Sequence, residues 1–287
     1  MTIAETLRQA TLRLKPESVP DAQLNAQSLL ANALGQDRTY LIVNLQRELE
    51  EQELVLFGAD LERRSAGEPL QYIIGHQEFY GLEFEVNRDV LIPRPESEMI
   101  VEEVIRLSRN YLKPLPELLI FDVGTGSGCL AISLAREIAG SFVIANDISR
   151  PALAVARRNA IRCGVSDRVA FFEGDLLAAV AARPVADVIV SNPPYVAEAE
   201  VASLQREVRE WEPRVALSDS ADGLTFYRRL LLEAPLRLKR GGFLICEIGY
   251  SQAEPVRELA NGDAGWQSIE MLDDLQGIPR TIVLRRR

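Results

Sequence analysis

The run Leu118-Leu119-Ile120-Phe121-Asp122-Val123 breaks into Gly124-Thr125-Gly126-Ser127-Gly128 and then into a helical pattern from Cys129 to Ala139. A strand feeding a helix through a glycine turn is a nucleotide-binding arrangement, and it restricts the chain to folds with parallel strands. The rest of the sequence agrees. Strand-like runs at 118–123, 142–146, 169–173, 187–191 and 243–248 alternate with helical runs such as 151–163 and 223–239. That alternation predicts an α/β fold with a doubly wound parallel sheet. Two last runs, 266–272 and 281–284, have no helix between them and predict an antiparallel hairpin at the sheet edge. Ligands of such sheets lie at the carboxyl ends of the strands where the strand order reverses. Gly124, Asp147, Asp175 and Asn192 all fall at such ends.

The loop spacing narrows the ligand. Dinucleotide binding calls for G-x-G-x-x-G, but this loop reads G-x-G-x-G, with Cys129 where the third glycine would stand. Asp122 is unfavourable beside a pyrophosphate and favourable beside an ammonium or sulfonium cation. Asp147 ends the next apolar run and is placed to take ribose hydroxyls. Adenosine with a cationic tail fits better than a dinucleotide. The competing reading is a tight turn between strand and helix.

Asn192-Pro193-Pro194-Tyr195 follows the apolar run Ala186 to Val190. The Asn192 side-chain oxygen and the Pro193 carbonyl can each accept one N–H of a planar NH₂ group. Pro193 and Pro194 fix φ and hold the segment extended, and Tyr195 offers a flat face to an sp² nitrogen group. The alternative is a Pro-Pro-aromatic run that only terminates a strand.

With these two motifs the chain resembles the HemK/PrmC protein-(glutamine-N5) methyltransferases along nearly its whole length. The resemblance also rests on Gly67-Glu-Pro-Leu-Gln-Tyr-Ile-Ile-Gly75, Val90-Leu-Ile-Pro-Arg-Pro-Glu-Ser-Glu98, Glu212-Pro-Arg-Val-Ala-Leu217, Asp222-Gly-Leu224, Glu247-Ile-Gly249 and Gln252. Asn-Pro-Pro-Tyr alone is shared with adenine-N6 DNA methyltransferases and some RNA methyltransferases; the combined set is far more specific. Ser97 stands where the family usually has threonine, and Asn146 precedes the ribose acid where other residues are common. The resemblance implies a class I (Rossmann-like) S-adenosylmethionine-dependent methyltransferase sheet, a small all-helical N-terminal domain and a β-hairpin hinge. It implies S-adenosyl-L-methionine as cofactor, with Gly124, Thr125, Gly126, Ser127 and Gly128 around its methionine part, Asp147 on the ribose, and Asp175 with Leu176 beside the adenine. Asn192 would border the cofactor and, with Pro193, Pro194 and Tyr195, hold the substrate; Asn192, Pro193 and Tyr195 are the expected catalytic residues. The implied acceptor is the glutamine of the Gly-Gly-Gln loop in class I peptide-chain release factors.

Charge helps to choose among acceptors. The 287-residue chain carries a net charge of −10, and residues 1–75 hold seven Lys/Arg against eleven Asp/Glu. Nucleic-acid binding needs Lys and Arg to neutralise phosphates, so this balance argues against DNA adenine or RNA guanine as acceptor and for a basic protein partner. A glutamine methyltransferase of a ribosomal protein stays open, with the N-terminal segment as the discriminating feature. A non-catalytic binding module would be expected to have lost Asn192 or the glycine loop. The three cysteines, Cys129, Cys163 and Cys246, suggest neither a disulfide framework nor a metal site. Without an export-type leader or a membrane-length apolar run, a cytoplasmic location is expected.

Three segments are predicted: a helical substrate-recognition domain at 1–75, a β-hairpin linker at 76–95 and the methyltransferase domain at 96–287. Helical spacing from Asp21 to Leu34, with Asp21 as cap, and from Glu48 to Ser65 supports the first. Alternation at Leu82, Phe84 and Val86 around Gly81 supports the second. His76 reads as structural, Glu96 and Glu98 as first-turn acids after Pro95, and Glu247 as a buried acid with an unidentified partner. Trp211 with Glu212-Pro213 is a candidate wall of the acceptor pocket.

Overall fold

In the computed structural model, residues 1–16, 19–111, 118–178 and 180–287 are described. Among them the hairpin strands β1 (His76–Phe79) and β2 (Leu82–Glu85) precede a seven-stranded sheet. The sheet contains β3 (Leu118–Val123), β4 (Ser141–Asp147), β5 (Val169–Glu173), β6 (Ala186–Ser191), β7 (Leu238–Glu247), β8 (Trp266–Asp273) and β9 (Pro279–Arg286), in the order β5-β4-β3-β6-β7-β9-β8. The pairs from β5 through β7 are parallel, and β9 runs antiparallel to both of its neighbours.

Side chains of the central strands alternate between two cores because successive Cβ atoms point to opposite faces. Ile120, Val188, Val190, Phe243 and Ile245 enter one core with the helices Glu98–Asn110 and Cys129–Glu137. Phe121, Ile189, Leu244 and Cys246 enter the other with the helices Thr225–Glu233 and Ala253–Asn261. A strand buried on both faces reads as a continuous apolar run, which is why these strands were legible.

Differences from the sequence expectation lie at element ends. The helix expected over 223–239 spans only Thr225–Glu233, a 3₁₀ turn containing Pro235 follows, and β7 already begins at Leu238. Proline has no N–H to continue the helix, and the charged Lys239-Arg240 hid the start of the strand. In the hairpin, Tyr80 (φ 51°) and Gly81 (φ 70°) form the two-residue turn with both central φ positive that matches strand twist. Phe79 and Phe84 meet edge-on, with centroids 6.1 Å apart, and both are buried in the first sheet core.

The chain separates into two compact units, residues 1–76 with 205–211, and 77–204 with 212–287. Inclusion of 205–211 in the first unit was not anticipated. Its anchor is Arg64, 3% exposed, whose guanidinium donates to Asn25 Oδ1 (2.7 Å), the Glu68 carbonyl (2.9 Å) and the Glu207 carboxylate (2.6 Å). The helices Ile3–Leu14, Ala22–Leu34, Arg38–Val43, Glu51–Ser65 and Leu70–Ile74 of this unit enclose their own core of Ile3, Leu14, Leu29, Leu30, Leu41 and Phe57. Thr2 and Glu5 form a reciprocal capping box. Asp21 does not cap through its side chain as expected; it is left-handed (φ 46°), and its carbonyl accepts from Asn25. Among the described residues no helix is long and apolar enough to cross a membrane.

Candidate active site

The site follows from register. Val123 of β3 pairs with Ser191 of β6, so the next residues, Gly124 and Asn192, leave the sheet side by side where the strand order reverses. On the other side Val123 pairs with Asn146 and Asp147 with Glu173, which brings the Asp147 and Asp175 loops to the same edge. A cavity opens there. It is lined by Gly124, Thr125, Gly126, Ser127, Asp147, Asp175, Leu176, Asn192 and Pro194, together with the 89–97 segment, Cys129, Pro213, Ala216 and Phe226.

Two of the glycines that line this space, Gly124 (φ 76°) and Gly126 (φ 54°), have no atom within 4 Å of where a Cβ would sit. Asp147 organises the loop: its carboxylate accepts from Gly126 N (2.9 Å) and Ser149 N (2.8 Å). Burial raises its pKa, and these amides oppose the shift. Asn146 donates Nδ2 to the carbonyls of Gly174 (2.9 Å) and Leu176 (2.8 Å), which fixes the Asp175-Leu176 turn with Leu176 at φ 46°. Asp175 itself pairs with Arg229 at 2.9 Å.

Three expected site residues do not line the cavity. Gly128 starts the helix Cys129–Glu137 at φ 84°, and a Cβ there would lie 2.9 Å from Ile132 Cδ1 and 3.2 Å from Ala156 Cβ. Its role is close packing. Gly128→Ala should therefore lower unfolding free energy by about 1–3 kcal/mol through overpacking and a positive φ, as read from denaturant midpoints; unchanged stability would contradict this contact. Pro193 is likewise off the lining. Tyr195 is also off the lining; it is half-buried, and its hydroxyl donates to Glu247 Oε1 (3.1 Å). Burial and the neighbouring Glu247 raise the Tyr195 pKa, keeping it a donor.

Asp122 also departs from expectation. It is fully buried beneath the loop, where one carboxylate oxygen accepts from Thr125 Oγ1 (2.6 Å) and Ala131 N (3.2 Å) while Oδ1 has no partner. Burial, helped by the Asp147 charge, pushes its pKa up to about 7. Cys129, on the cavity wall, is pushed up to about 12 by burial and the Asp122 charge, so its thiol is not a nucleophile.

The tetrapeptide is held from behind by residues whose importance only the fold reveals. Gln252 donates Nε2 to the carbonyls of Tyr195 (2.7 Å) and Gly223 (3.2 Å) and accepts from Gly249 N (3.0 Å). Asn192 Nδ2 donates to Ser97 Oγ (3.0 Å), and Ser97 Oγ donates in turn to Glu247 Oε2. Glu247 thus has the partners it lacked in the sequence. Glu98 lies apart and takes the Tyr80 amide (2.7 Å). Arg94 lines the cavity and pairs with buried Glu212, which also accepts from Ile92 N (3.3 Å). Pro213 is on the cavity wall; Trp211 belongs to the other unit.

A doubly wound sheet with an antiparallel end, with a glycine loop and Asn192 and Pro194 of the tetrapeptide lining one cavity at the switch point, is the architecture of a class I S-adenosylmethionine-dependent methyltransferase. Family models match residues 5–75 as a PrmC N-terminal domain and residues 97–209 as a methyltransferase small domain. In fold alone, the chain is similar to the hMettl16 catalytic domain (TM-score 0.57, 17% identity, 78% of this chain and 81% of that one). It is likewise similar to a methyltransferase from Pyrococcus furiosus (TM-score 0.51, 19% identity, 72% and 90%). In sequence it is 41% identical over 286 residues to a release factor glutamine methyltransferase of Koribacter versatilis, covering 100% of this chain and 99% of that one. It is 43% identical over 258 residues to that of Bacillus subtilis, covering 90% and 89%. The chain belongs to the HemK/PrmC family of release factor glutamine methyltransferases.

Proposed function

We propose that this enzyme transfers the methyl group of S-adenosyl-L-methionine to the side-chain amide nitrogen (N5) of the glutamine in the Gly-Gly-Gln motif of class I peptide-chain release factors. The observation that carries the reading is the Asn192 carboxamide on the cavity wall beside the glycine loop, with one N–H donated to Ser97 and its oxygen left to accept. The cavity suits the cofactor. Asp89, Asp147 and Asp175 line it, and among the described residues the one lining cation, Arg94, is paired with Glu212, a balance favourable to a cationic adenosine derivative and unfavourable to a pyrophosphate.

In this reading Gly124 and Gly126 border the methionine part, Asp147 accepts from the ribose hydroxyls, and Asp175 with Leu176 flanks the adenine. S-adenosyl-L-methionine supplies a methyl group activated on a sulfonium. An amide nitrogen is a weak nucleophile because its lone pair is delocalised. Asn192 Oδ1 accepts one of its N–H bonds and holds the nitrogen while it loses conjugation, and that bond strengthens as positive charge develops there. Positioning and fixed dipoles are the main contributions. Tyr195 serves by fixing the segment through Glu247 and Gln252.

Residues 1–75 are assigned to substrate recognition, 76–95 to the linker and 96–287 to transfer. The acidic balance of the first segment supports a basic protein partner, and the cytoplasm, where translation factors act, is the proposed location. Incubation with labelled cofactor and, separately, purified release factors, ribosomal proteins, DNA and RNA tests the acceptor. Label on the Gly-Gly-Gln glutamine, mapped by mass spectrometry, is expected; label on ribosomal protein or nucleic acid with none on release factor would overturn it.

A further inference from the structure

A carboxamide can face a cavity with either end, and only its oxygen can accept a hydrogen bond from another amide. We propose that Ser97 and Glu247 are positioning residues that hold the Asn192 carboxamide with its oxygen toward the acceptor, an inference that rests on the amide-methylating function proposed above. Ser97 and Glu247 are each 2% exposed, so neither hydrogen-bonding inventory is open to solvent. An ionised Glu247 only accepts: Oε1 takes the Tyr195 hydroxyl and Oε2 takes the Ser97 hydroxyl. Ser97 has one proton, and it is committed. Toward Asn192 its oxygen can therefore only accept, and the 3.0 Å contact must be Nδ2–H donating to Oγ. Asn192 Oδ1 is thereby turned the other way, and the preference originates in a carboxylate that touches neither substrate nor cofactor.

The arrangement has a defined failure. A protonated Glu247 donates to Ser97 Oγ, which frees the Ser97 hydroxyl to donate to Asn192 Oδ1; the carboxamide then turns and meets the acceptor amide donor to donor. The groups acting on Glu247 are Ser97, Tyr195 and Arg280, which favour its charge, and Glu96, which opposes it; Cys129 and Tyr227 are its buried neutral neighbours. Burial is the largest influence and raises its pKa. Turnover should thus fall on acidification, with a midpoint above the ordinary glutamate range.

The test uses the full-length enzyme, purified release factor and saturating S-adenosyl-L-methionine. Methylation by the parent enzyme decides the acceptor first, independently of the variants. Ser97→Ala is expected to lower kcat about 10- to 100-fold, the scale of a displaced catalytic group, with cofactor Kd close to the parent and a lowered Tm, since buried Glu247 loses a donor. Ser97→Thr restores the hydroxyl and should restore kcat. Glu247→Gln cannot be charged or neutralised by pH and should lose the acid limb; if it does not fold, the limb in the parent and its loss in Ser97→Ala decide the point. Parent kcat in Ser97→Ala, or equal losses of kcat and Tm in the Ala and Thr variants, would overturn the inference, leaving Ser97 a packing residue.

Discussion

Asn192→Ala is expected to lower single-turnover methylation of a release factor by roughly 10²- to 10³-fold, the scale of losing one preorganised contact that strengthens in the transition state. Cofactor affinity should change little, because the glycine loop and Asp147 are untouched. Asn192→Asp is the more discriminating variant. It keeps an acceptor oxygen of nearly the same shape but loses the NH₂ that meets Ser97 Oγ. Ser97 must then divide one proton between two carboxylates, Glu247 and the new one, and like charges that close cannot both ionise. A charge near the sulfonium also stabilises the ground state. Both variants should be slow, with cofactor binding retained. Parent rates in both would mean that the tetrapeptide only ends β6.

The second large effect is on binding. Asp147→Ala should weaken S-adenosyl-L-methionine by about 1–3 kcal/mol, since buried ribose hydroxyls lose a charged acceptor. The geometry adds a further cause: Gly126 N and Ser149 N both donate to this carboxylate, so its removal also releases the loop. Asp147→Asn retains one acceptor oxygen and should fall between the parent and Asp147→Ala. Calorimetric titration of the folded variants measures this; unchanged affinity in Asp147→Ala would remove Asp147 from the ribose site.

What could be read in advance was local. The bounds of β3 and β5 follow directly from apolar runs, and the glycine loop and tetrapeptide each carry their meaning within a few residues. The Ser97 contacts to Asn192 and Glu247 cross 95 and 150 residues of sequence, and no periodicity or spacing encodes them. Ser97 stood out only as a departure from threonine, and Glu247 only as an acid in an apolar run. Asp122 shows the opposite limitation. Coulomb attraction alone placed it beside a cation, whereas desolvation and the fold put it under the loop as an anchor for Thr125 and the next helix. The destination of the Tyr195 hydroxyl, Glu247, lies 52 residues away and was equally invisible in the sequence.

The Gln252 carboxamide joins three turns that the chain makes far apart, so the room for a larger residue at each is set by the others. A Cβ at Gly223 would lie 2.7 Å from its Nε2, and one at Gly249 would lie 2.8 Å from its Oε1. An alanine at Gly249 calls for a shorter residue at 252, which would leave the Tyr195 carbonyl without its donor, whereas at Gly223 the Tyr195 carbonyl oxygen itself stands 2.5 Å from the added Cβ, so no change at 252 makes room. Residues 223, 249 and 252 therefore answer to one another: a side chain added at either glycine disturbs the joint that Gln252 makes with the Tyr195 carbonyl.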